Sequence, residues 1–460
     1  MNGALRGLVL AMTVLAAPLL SLAASAGDRT IGVNVLLNTA PSARVLADLA
    51  KHGRVRDVLV QIDAVSMQAK QSQLDTIRRL PFVISASPDA RRDGAPVDTV
   101  DATAFANGIR SYDQDAINVI NSGTARAVAY DGTGVYVAVL DSGLLDSWRQ
   151  YFPQERIAEE YARAFGGGGG LAATVSSQPN KWQHDQSSHG THVTSSILGY
   201  SLLGTPVNGA APGATVIPVK VLNQNGSGWS SVITRGILYV ADLKAGALAG
   251  SPVVINMSLG GAVLDAVEKA AIDYAIAKGV VIVASAGNEG AAGMGYPGGY
   301  APVISSAASG WTGQWLPGAD GNPNNWWTAD DVAEPTAAGD FYIADFSSRE
   351  LEGQDLDVVA PGSWIVGPYQ AQSGQVSYFY VSGTSQASPH VAGIAALLLQ
   401  KNPSLTAAQV ESILESTAIP LPAGCRDVTE PGGVVVKTCW EANATGAGLT
   451  TADAALAATP

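Results

Sequence analysis

From Tyr112 onward, apolar residues fall into short continuous runs that alternate with helical patterns. The apolar runs predict buried strands at 135–140, 216–222, 253–257 and 280–284. Apolar positions at helical spacing predict helices at 231–244 and 264–277. Fully apolar strands that alternate with helices are typical of an α/β fold, in which helices cover both faces of a mostly parallel sheet. In such sheets, ligands bind at the carboxyl ends of the strands.

A smaller α/β unit precedes this region, from residue 27 to about residue 103. Its pattern predicts strands at 31–37, 58–62 and 82–86 and helices at 42–50 and 71–80. Residues 88–106 are rich in Asp, Arg, Ala and Pro and have no periodicity. This composition predicts an exposed linker between the small unit and the rest of the chain.

The first 26 residues have the three parts of a secretory signal peptide. Arg6 supplies a positive charge, residues 8–22 form an apolar core, and Ala24-Ser25-Ala26 is a small-residue cleavage site. The alternative is a membrane anchor, but the apolar run is short and is followed by small residues. No later stretch of the sequence is long and apolar enough to span a bilayer. We therefore expect export to the cell exterior or to a periplasm, with no membrane partner.

Composition narrows the choice of partners further. Of the 460 residues, 47% are hydrophobic and 14% are charged, which indicates a globular chain. The net charge is −13 and no basic stripe is present, so we expect no nucleic-acid partner. The sequence has two cysteines, Cys425 and Cys439. In an exported chain they are expected to form a disulfide bond, and the alternative is two free thiols.

Residues suited to acid–base chemistry follow several of the predicted elements. Asp141 comes directly after a predicted strand, and His189 begins a helical pattern. Ser385 follows a Gly-Thr turn and precedes an apolar helical run, which puts its hydroxyl at a helix N-terminus with Pro389 in the first turn. Taken singly, each has an ordinary structural explanation: a turn Asp, a packed His and a Ser that caps a helix. Asn288, after another predicted strand, fits a turn in the same way.

Five motifs in order make the chain similar to the subtilisin-like serine proteases, the subtilases. They are Val139-Leu-Asp-Ser-Gly143, His189-Gly-Thr-His-Val193, Asn256-Met-Ser-Leu-Gly-Gly261, Ser285-Ala-Gly-Asn-Glu-Gly290 and Gly383-Thr-Ser-Gln-Ala-Ser-Pro-His-Val-Ala-Gly393. The chain order of Asp, His and Ser is also that of subtilisin. The resemblance covers about residues 112–456. It implies a three-layer α/β fold with a mostly parallel central sheet flanked by helices, preceded by a small α/β pro-domain.

The resemblance implies a role for each residue of this constellation. Ser385 would attack the peptide carbonyl, and His189 would take its proton and pass it to the leaving amine. Asp141 would hold the histidine tautomer and stabilise the imidazolium. Asn288 would donate to the oxyanion together with the backbone N–H of Ser385. His184 is a rival for the base, but it lacks the Gly-Thr-His context. This chemistry requires no cofactor.

Substrate recognition is expected to use main-chain pairing, which gives affinity without much sequence choice. By resemblance, two edge segments hold the peptide, and their residues are Gly226, Gly228, Ser258, Leu259 and Gly260. Glycine at such positions allows close backbone approach. Gly295 is implied at the base of the main side-chain pocket, with Glu289 near its rim. A glycine there leaves room for large apolar side chains, and Glu289 could also attract Lys or Arg.

The sequence also departs from the family pattern. Gln386 follows the serine where many subtilases have Met, whose thioether is open to oxidation. The segment before Gly209 lacks the Asn-rich pattern of a frequent calcium loop. Residues 311–346 are expected to be an insertion, in which 320–331 has a faint EF-hand spacing but Asn325 where glycine is required. Structural calcium is therefore conceivable but unassigned, and the sequence names no metal ligand.

By resemblance, residues 27–103 are an inhibitory pro-segment that assists folding, and residues 104–460 are the catalytic domain. Self-processing is expected to cut between residues 95 and 112. The alternative is a permanent N-terminal domain. The mature protein is then expected to be a secreted, monomeric endopeptidase of broad specificity that acts on polypeptides and is inhibited by its own pro-segment. Two alternatives are a processing protease with few substrates and a catalytically silent binding protein on the same scaffold.

Overall fold

The structure is a computed structural model that describes residues 28–101, 112–119, 126–166, 172–317, 332, 335–370 and 377–460. The expected signal peptide and the segment with EF-hand spacing lie outside these residues. The expected processing interval lies only partly inside them. Within the described ranges, no helix combines the length and the apolar character that crossing a membrane requires.

The helices and strands of these residues follow in chain order. The helices are α1 (Ala43–Leu49), α2 (Leu74–Arg78), α3 (Tyr112–Ala116), α4 (His189–Leu198), α5 (Ser230–Ala245), α6 (Ala266–Ala277), α7 (Thr384–Lys401), α8 (Ala407–Thr417) and α9 (Ala452–Ala458). The strands up to the catalytic histidine candidate are β1 (Thr30–Leu37), β2 (Gly53–Leu59), β3 (Ala64–Lys70), β4 (Val83–Pro88), β5 (Arg91–Asp93), β6 (Asp98–Asp101), β7 (Tyr136–Asp141), β8 (Arg163–Gly166) and β9 (Val175–Gln178). The later strands are β10 (Gly199–Leu202), β11 (Thr205–Asn208), β12 (Thr215–Lys220), β13 (Ser227–Trp229), β14 (Val253–Met257), β15 (Val280–Ser285), β16 (Ile304–Trp311), β17 (Phe341–Ile343), β18 (Val358–Pro361), β19 (Ile365–Pro368), β20 (Tyr378–Ser382), β21 (Gly424–Thr429) and β22 (Val435–Trp440).

The N-terminal unit is an antiparallel sheet of order β2-β3-β1-β4 with a hydrophobic core of its own. Alternate residues of β1 (Val33, Val35 and Leu37) are buried in that core together with side chains of α1 and α2. Helix α1 begins where the sequence predicts, because the Ser42 hydroxyl accepts a hydrogen bond from the Val45 N–H and caps it.

One predicted strand of this unit, 58–62, is only partly right. Val58 and Leu59 are the last residues of β2, whereas residues 60–63 form the turn to β3, with Asp63 at a positive φ of 49°. Strand β3 was not predicted because polar residues interrupt its apolar pattern. One of them, Ser66, is buried and donates a hydrogen bond of 2.8 Å to Asn34, which lies far away in the sequence.

The segment predicted as an exposed linker is also different from the expectation. Strand β5 pairs antiparallel with β13, and β6 pairs antiparallel with β20. Arg92, in the middle of β5, is fully buried. The pairing partners lie far along the chain, so the local composition gave no sign of them.

The central sheet has the strand order β17-β16-β15-β14-β7-β12-β8-β9, with β18 also paired to β16. Its pairs are parallel except at the edges, where β16–β17 and β8–β9 are antiparallel. Along β7, Val137 and Val139 pack in one core with α4 and α7. Ala138 and Leu140, which point to the opposite face, pack in a second core with α5 and α6. The predicted three-layer α/β fold is therefore confirmed.

Residues near both ends of the expected insertion belong to the central sheet. Trp311 closes β16, and β17 pairs antiparallel with the end of that strand. Trp315 packs against the rings of Trp364 and Tyr380, at centroid distances of 6.1 and 5.0 Å. That the segment between these anchors is an insertion stays a prediction.

The predicted disulfide bond is present in the C-terminal hairpin. Cys425 of β21 and Cys439 of β22 lie directly opposite each other in the antiparallel pair. Their sequence separation is 14 residues. The bond therefore closes the hairpin covalently at the end remote from its turn.

We expect the double substitution Cys425→Ala with Cys439→Ala to lower the free energy of unfolding by about 2–3 kcal/mol, because a loop of this size gains conformational entropy in the unfolded chain when it is opened. The measurement is denaturant unfolding in a Ser385→Ala background, which removes the expected nucleophile. A reducing agent should lower the stability of the parent and leave the double variant unchanged. Identical midpoints for parent and double variant would contradict the prediction.

Candidate active site

Ser385 is the second residue of α7, next to the exposed backbone N–H groups of the helix start. The N-cap position is occupied by Gly383, which has no side chain that could cap the helix. The alternative that Ser385 is a capping residue is therefore wrong. Pro389 is the sixth residue of the helix. The sequence had predicted it in the first turn, so that prediction is wrong. Pro389 is tolerated because the Ser385 carbonyl, which has no Pro389 N–H to bind, accepts a hydrogen bond of 2.7 Å from the Ser258 hydroxyl.

The end of β7 and the start of α4 bring Asp141 and His189 together. His189 Nδ1 lies 2.9 and 3.0 Å from the two carboxylate oxygens of Asp141, and both side chains are fully buried. Asp141 Oδ1 also accepts a hydrogen bond of 2.6 Å from the Ser142 N–H. Gly190 permits this approach, because a Cβ at that position would collide with the Gly143 carbonyl. The carboxylate therefore fixes the orientation of the imidazole and favours the tautomer protonated at Nδ1.

The serine hydroxyl and the histidine are neighbours but do not bond to each other in this structure. Ser385 Oγ donates a hydrogen bond of 3.2 Å to the Ser258 carbonyl. Among the described residues, His189 Nε2 has no hydrogen-bond partner. Gly94 lies beside the His189 ring and the carbonyl that binds the serine hydroxyl: a Cβ on this residue would be 2.9 Å from the Ser258 carbonyl and 3.5 Å from His189 Cε1. A hydroxyl, a free ring nitrogen and a backbone segment thus meet at one place.

A buried polar layer behind the pair was missed by the sequence reasoning. The Ser142 hydroxyl accepts a hydrogen bond of 2.8 Å from the Gly190 N–H and donates one of 3.0 Å to Asp185. Lys220 Nζ donates to the Ser142 carbonyl. Burial raises the pKa of Asp185 to about 7, although Lys220 opposes the shift. The signal in the sequence was Lys220, a charged residue within an otherwise apolar run.

Asn288 is held so that its amide N–H groups remain available. Its Oδ1 accepts hydrogen bonds of 2.9 Å from both the N–H and the hydroxyl of Thr384. The positive φ of the turn, 110°, belongs to Gly287 and not to Asn288. Asn288 and Ser385 line the same cleft. An amide donor beside a hydroxyl nucleophile is the arrangement that can stabilise an oxyanion.

The two edge segments flank a peptide in this structure, and the peptide belongs to the same chain. Gly228 pairs with Arg92 in the β13–β5 ladder, and Gly94 donates a backbone hydrogen bond of 2.8 Å to Gly226. On the other side, Asp93 and Gly260 exchange two backbone hydrogen bonds of 2.9 Å. Three of the predicted substrate-binding residues therefore contact an extended segment through their backbone.

The other predicted pocket residues occupy different positions around the cleft. Glu289 lines it, and its Oε2 accepts a hydrogen bond of 3.1 Å from the Ser348 hydroxyl. Gly295 packs against the edge segment, since a Cβ on it would lie 3.4 Å from the Gly261 nitrogen. Leu259 is a buried core residue. That Gly295 forms the base of the main side-chain pocket stays a prediction.

Other histidines have structural contacts. His192 Nε2 lies 3.1 Å from the Ile365 carbonyl, and burial lowers its pKa to about 3, so the ring remains neutral. His390 lies 2.9 Å from Asp113 and 2.8 Å from the Gln386 carbonyl. His184 is exposed. None of these three contacts Asp141 among the interactions of the described residues.

One group of carboxylates in the described residues has the spacing of a cation site. An oxygen of each of Asp355, Asp357 and Glu411 lies within 4.8 Å of the others. Sequence reasoning missed this group because α8, which carries Glu411, is distant in the chain. Burial raises the pKa of Asp357 to about 8. An oxygen-only donor set could hold a hard cation such as calcium.

We expect Glu411→Gln to raise the melting temperature at about pH 8, where Asp357, with its pKa raised to about 8, is partly ionised and the carboxylates repel one another. The measurement is thermal unfolding of Ser385→Ala protein in a metal chelator, with Glu352→Gln as an exposed control. Calcium ions should remove the difference by stabilising the parent. A lower melting temperature for Glu411→Gln in the chelator would contradict the expectation.

The sequence is similar to those of known proteins. The model of the subtilase family, Peptidase S8, matches residues 132–451. Subtilisin E of Bacillus subtilis (strain 168) is 36% identical over 306 residues, which are 66% of this chain and 65% of that protein, so the chain spans just under two thirds of this relative. Alkaline elastase YaB of Bacillus sp. (strain YaB) is 31% identical over 366 residues, 77% of this chain and 79% of that protein.

A solved structure shares the fold over most of the chain. The crystal structure of fervidolysin from Fervidobacterium pennivorans, a keratinolytic enzyme related to subtilisin, matches with a TM-score of 0.63 at 24% identity. The match covers 94% of this chain and 62% of that one. The family model covers well over half of the sequence and includes all four residues of the constellation. The chain therefore belongs to the subtilase family.

Proposed function

We propose that the chain is the precursor of a secreted serine endopeptidase whose nucleophile is Ser385. The observation that carries the proposal is the course of residues 91–97. This segment pairs with both edges of the cleft, as an extended substrate would, and passes beside Ser385 and His189. Family membership supports the same activity.

In the proposed reaction, a substrate displaces the segment and lies in the same two-sided backbone pairing. Ser385 Oγ attacks the carbonyl carbon while its proton passes to His189 Nε2, the ring nitrogen that the described residues leave without a partner. The imidazolium gives this proton to the leaving amine, and an ester between Ser385 and the acyl fragment remains. Water then repeats the sequence and releases the acid. Asp141 stabilises the imidazolium through its 2.9 Å contact with Nδ1.

The oxyanion of each tetrahedral intermediate would be stabilised by two kinds of donor. One is the Asn288 amide, whose oxygen is held by Thr384. The other is the backbone N–H of Ser385, at the positive end of the α7 dipole. In a cleft with little water such donors have a large effect, and losing one typically lowers turnover by about 10²–10³-fold.

The N-terminal unit would act as an intramolecular inhibitor. At the end of the cleft, the Val97 N–H donates a hydrogen bond of 2.8 Å to the Ser382 carbonyl, and β6 then pairs with β20. Ala95 and Pro96 line the cleft beside Ser385. A bond to proline is a tertiary amide whose ring crowds the leaving nitrogen, so this segment is expected to be a poor substrate at that bond.

Buried polar contacts would hold the inhibitory unit in place before processing. Asp89 accepts a hydrogen bond of 2.9 Å from the Ser231 N–H at the start of α5, where the helix dipole favours a carboxylate. Asn34 donates a hydrogen bond of 2.9 Å to Asp265, the residue that caps α6.

Under this proposal, residues 1–26 are the signal peptide, 27–103 the pro-segment and 104–460 the catalytic part, with processing between residues 95 and 112. We also propose that the mature enzyme released by processing is a monomer.

We expect Ser385→Ala to stay at full pro-segment length and to leave casein intact, because no acyl-enzyme can form. The measurement is intact mass together with casein hydrolysis, beside the unmodified protein and Ser388→Ala as a matched control. Unmodified protein that matures and hydrolyses casein would support the proposal. If Ser385→Ala does both equally well, Ser385 is not the nucleophile. If both proteins stay full length and inert, a catalytically silent binding protein is the better proposal.

A second expectation concerns oxidation at the residue that follows the nucleophile. Gln386 is fully buried in α7, and its amide cannot be oxidised as a thioether can. We expect hydrolytic activity to survive peroxide treatment and Gln386→Met to become sensitive to it. The measurement is residual casein hydrolysis after peroxide. Equal losses in the two proteins would trace the damage to another residue, such as the buried Met257 or Met294.

A further inference from the structure

Arg92 occupies a buried side-chain site in the cleft that ends on a carboxylate. Its guanidinium donates from Nε to Glu268 Oε1 at 3.2 Å and from Nη2 to Glu268 Oε2. Nη2 also donates a hydrogen bond of 2.9 Å to the Val263 carbonyl. Both charged side chains are fully buried. The site therefore presents two kinds of acceptor to a planar, forked donor.

The backbone fixes where this site lies relative to the chemistry. Arg92 faces Gly228 in the β13–β5 ladder, and its neighbour Asp93 pairs with Gly260 on the opposite edge. Gly94 comes next and lies beside the ring of His189. Ala95 then enters the part of the cleft lined by Ser385. Arg92 therefore lies three residues before Ala95, the residue that lines the cleft with Ser385.

Under the proposed function, processing separates the two residues of this ion pair. Arg92 belongs to the segment that processing removes, whereas Glu268 is the third residue of α6 and remains. Burial raises the pKa of Glu268, and Arg92 opposes that shift. Without Arg92, a carboxylate and the Val263 carbonyl would line the site without a donor. A buried charge without a partner is costly, so the site favours a substrate that brings a new cation.

The chemistry of the site distinguishes between candidate side chains. Arginine reproduces the two-pronged contact that Arg92 makes. Lysine brings a charge but only a single point of contact. An apolar side chain would leave the carboxylate unpaired, and an acidic one would add repulsion.

We propose that Glu268 makes the mature enzyme selective for arginine at the fourth residue on the amino side of the scissile bond. The proposal rests on the proposed function and on substrates following the register of residues 91–95. Main-chain pairing by the edge segments would accept many sequences, and Glu268 would add a preference at one position. This acidic site is separate from Glu289, which lines the cleft near Asn288.

The test compares kcat/KM of the mature enzyme on peptides of the form acetyl-X-Ala-Ala-Phe-p-nitroanilide, in which X is Arg, Lys, Leu or Glu. We expect the arginine peptide to exceed the leucine peptide by at least about tenfold, since a buried charge-assisted contact is replaced by an unpaired carboxylate. Lysine should fall between them, and glutamate should be the poorest.

The variant that tests Glu268 is the double substitution Arg92→Met with Glu268→Leu, made in the precursor. It replaces the buried ion pair by apolar side chains, so neither charge is left unpaired before processing. After processing, the mature variant differs from the parent only at position 268. We expect it to prefer the leucine peptide. Glu155→Gln, at an exposed position outside the cleft, is the control and should keep the preference for arginine.

The outcomes separate this proposal from the proposed function. Equal rates on all four peptides would overturn the selectivity and leave the peptidase activity standing. A preference for arginine that survives Glu268→Leu would also overturn it, because another group would then be responsible. If the unmodified protein hydrolyses none of the peptides and no casein, both proposals fall. The peptide series on the unmodified enzyme decides the selectivity even if the double variant fails to mature.

Discussion

The parallel pairing of β7 with β12 and β14 is the constraint on which the rest of the site depends. Parallel strands end at the same edge of a sheet, so the residues that follow them meet there although they are far apart in sequence. Asp141 at the end of β7 is in register with Lys220 at the end of β12. Helices on both faces exclude water from these strand ends. The Asp141–His189 contact therefore forms between two fully buried side chains, where electrostatic interactions are stronger than in water.

The cleft beside this edge resembles an incomplete sheet. Its two edges have backbone groups that need partners, and residues 91–94 supply them. Because such pairing depends on the backbone, it would hold the proposed inhibitory segment and a substrate in the same way. Selectivity must then come from side-chain sites along the cleft. The buried contact between Arg92 and Glu268 is the clearest of these in the described residues.

Buried polar contacts cross the junction between the N-terminal unit and the larger part, beside the apolar Leu59 and Ala64, which pack in the core of α5 and α6. Asn34, Asp89 and Asp265 are buried there and satisfy one another or the first turns of α5 and α6. Buried polar networks contribute less net stability than apolar packing. A polar group that loses its partner in such a network is nevertheless strongly destabilising, because it stays buried and unpaired. Such networks therefore suit the proposed pro-segment, which would dock in one orientation and later be released. The unit also has a separate apolar core of its own.

The sequence by itself determined the fold class, the strands that alternate with helices, the disulfide bond and the residues of the Asp-His-Ser motifs, because periodicity, capping and motif spacing are local properties. It did not determine β3, whose polar Ser66 is buried through a distant partner. Nor could it determine that residues 91–97 run along the cleft, that Pro389 is tolerated inside α7, or that Arg92, Asp185 and Asp357 are buried. Each of these depends on a contact between residues far apart in the chain. A buried polar group needs a hydrogen-bond or charge partner, and here that partner is far away in the sequence. Only the tertiary structure therefore decides which backbone group or charged side chain it is.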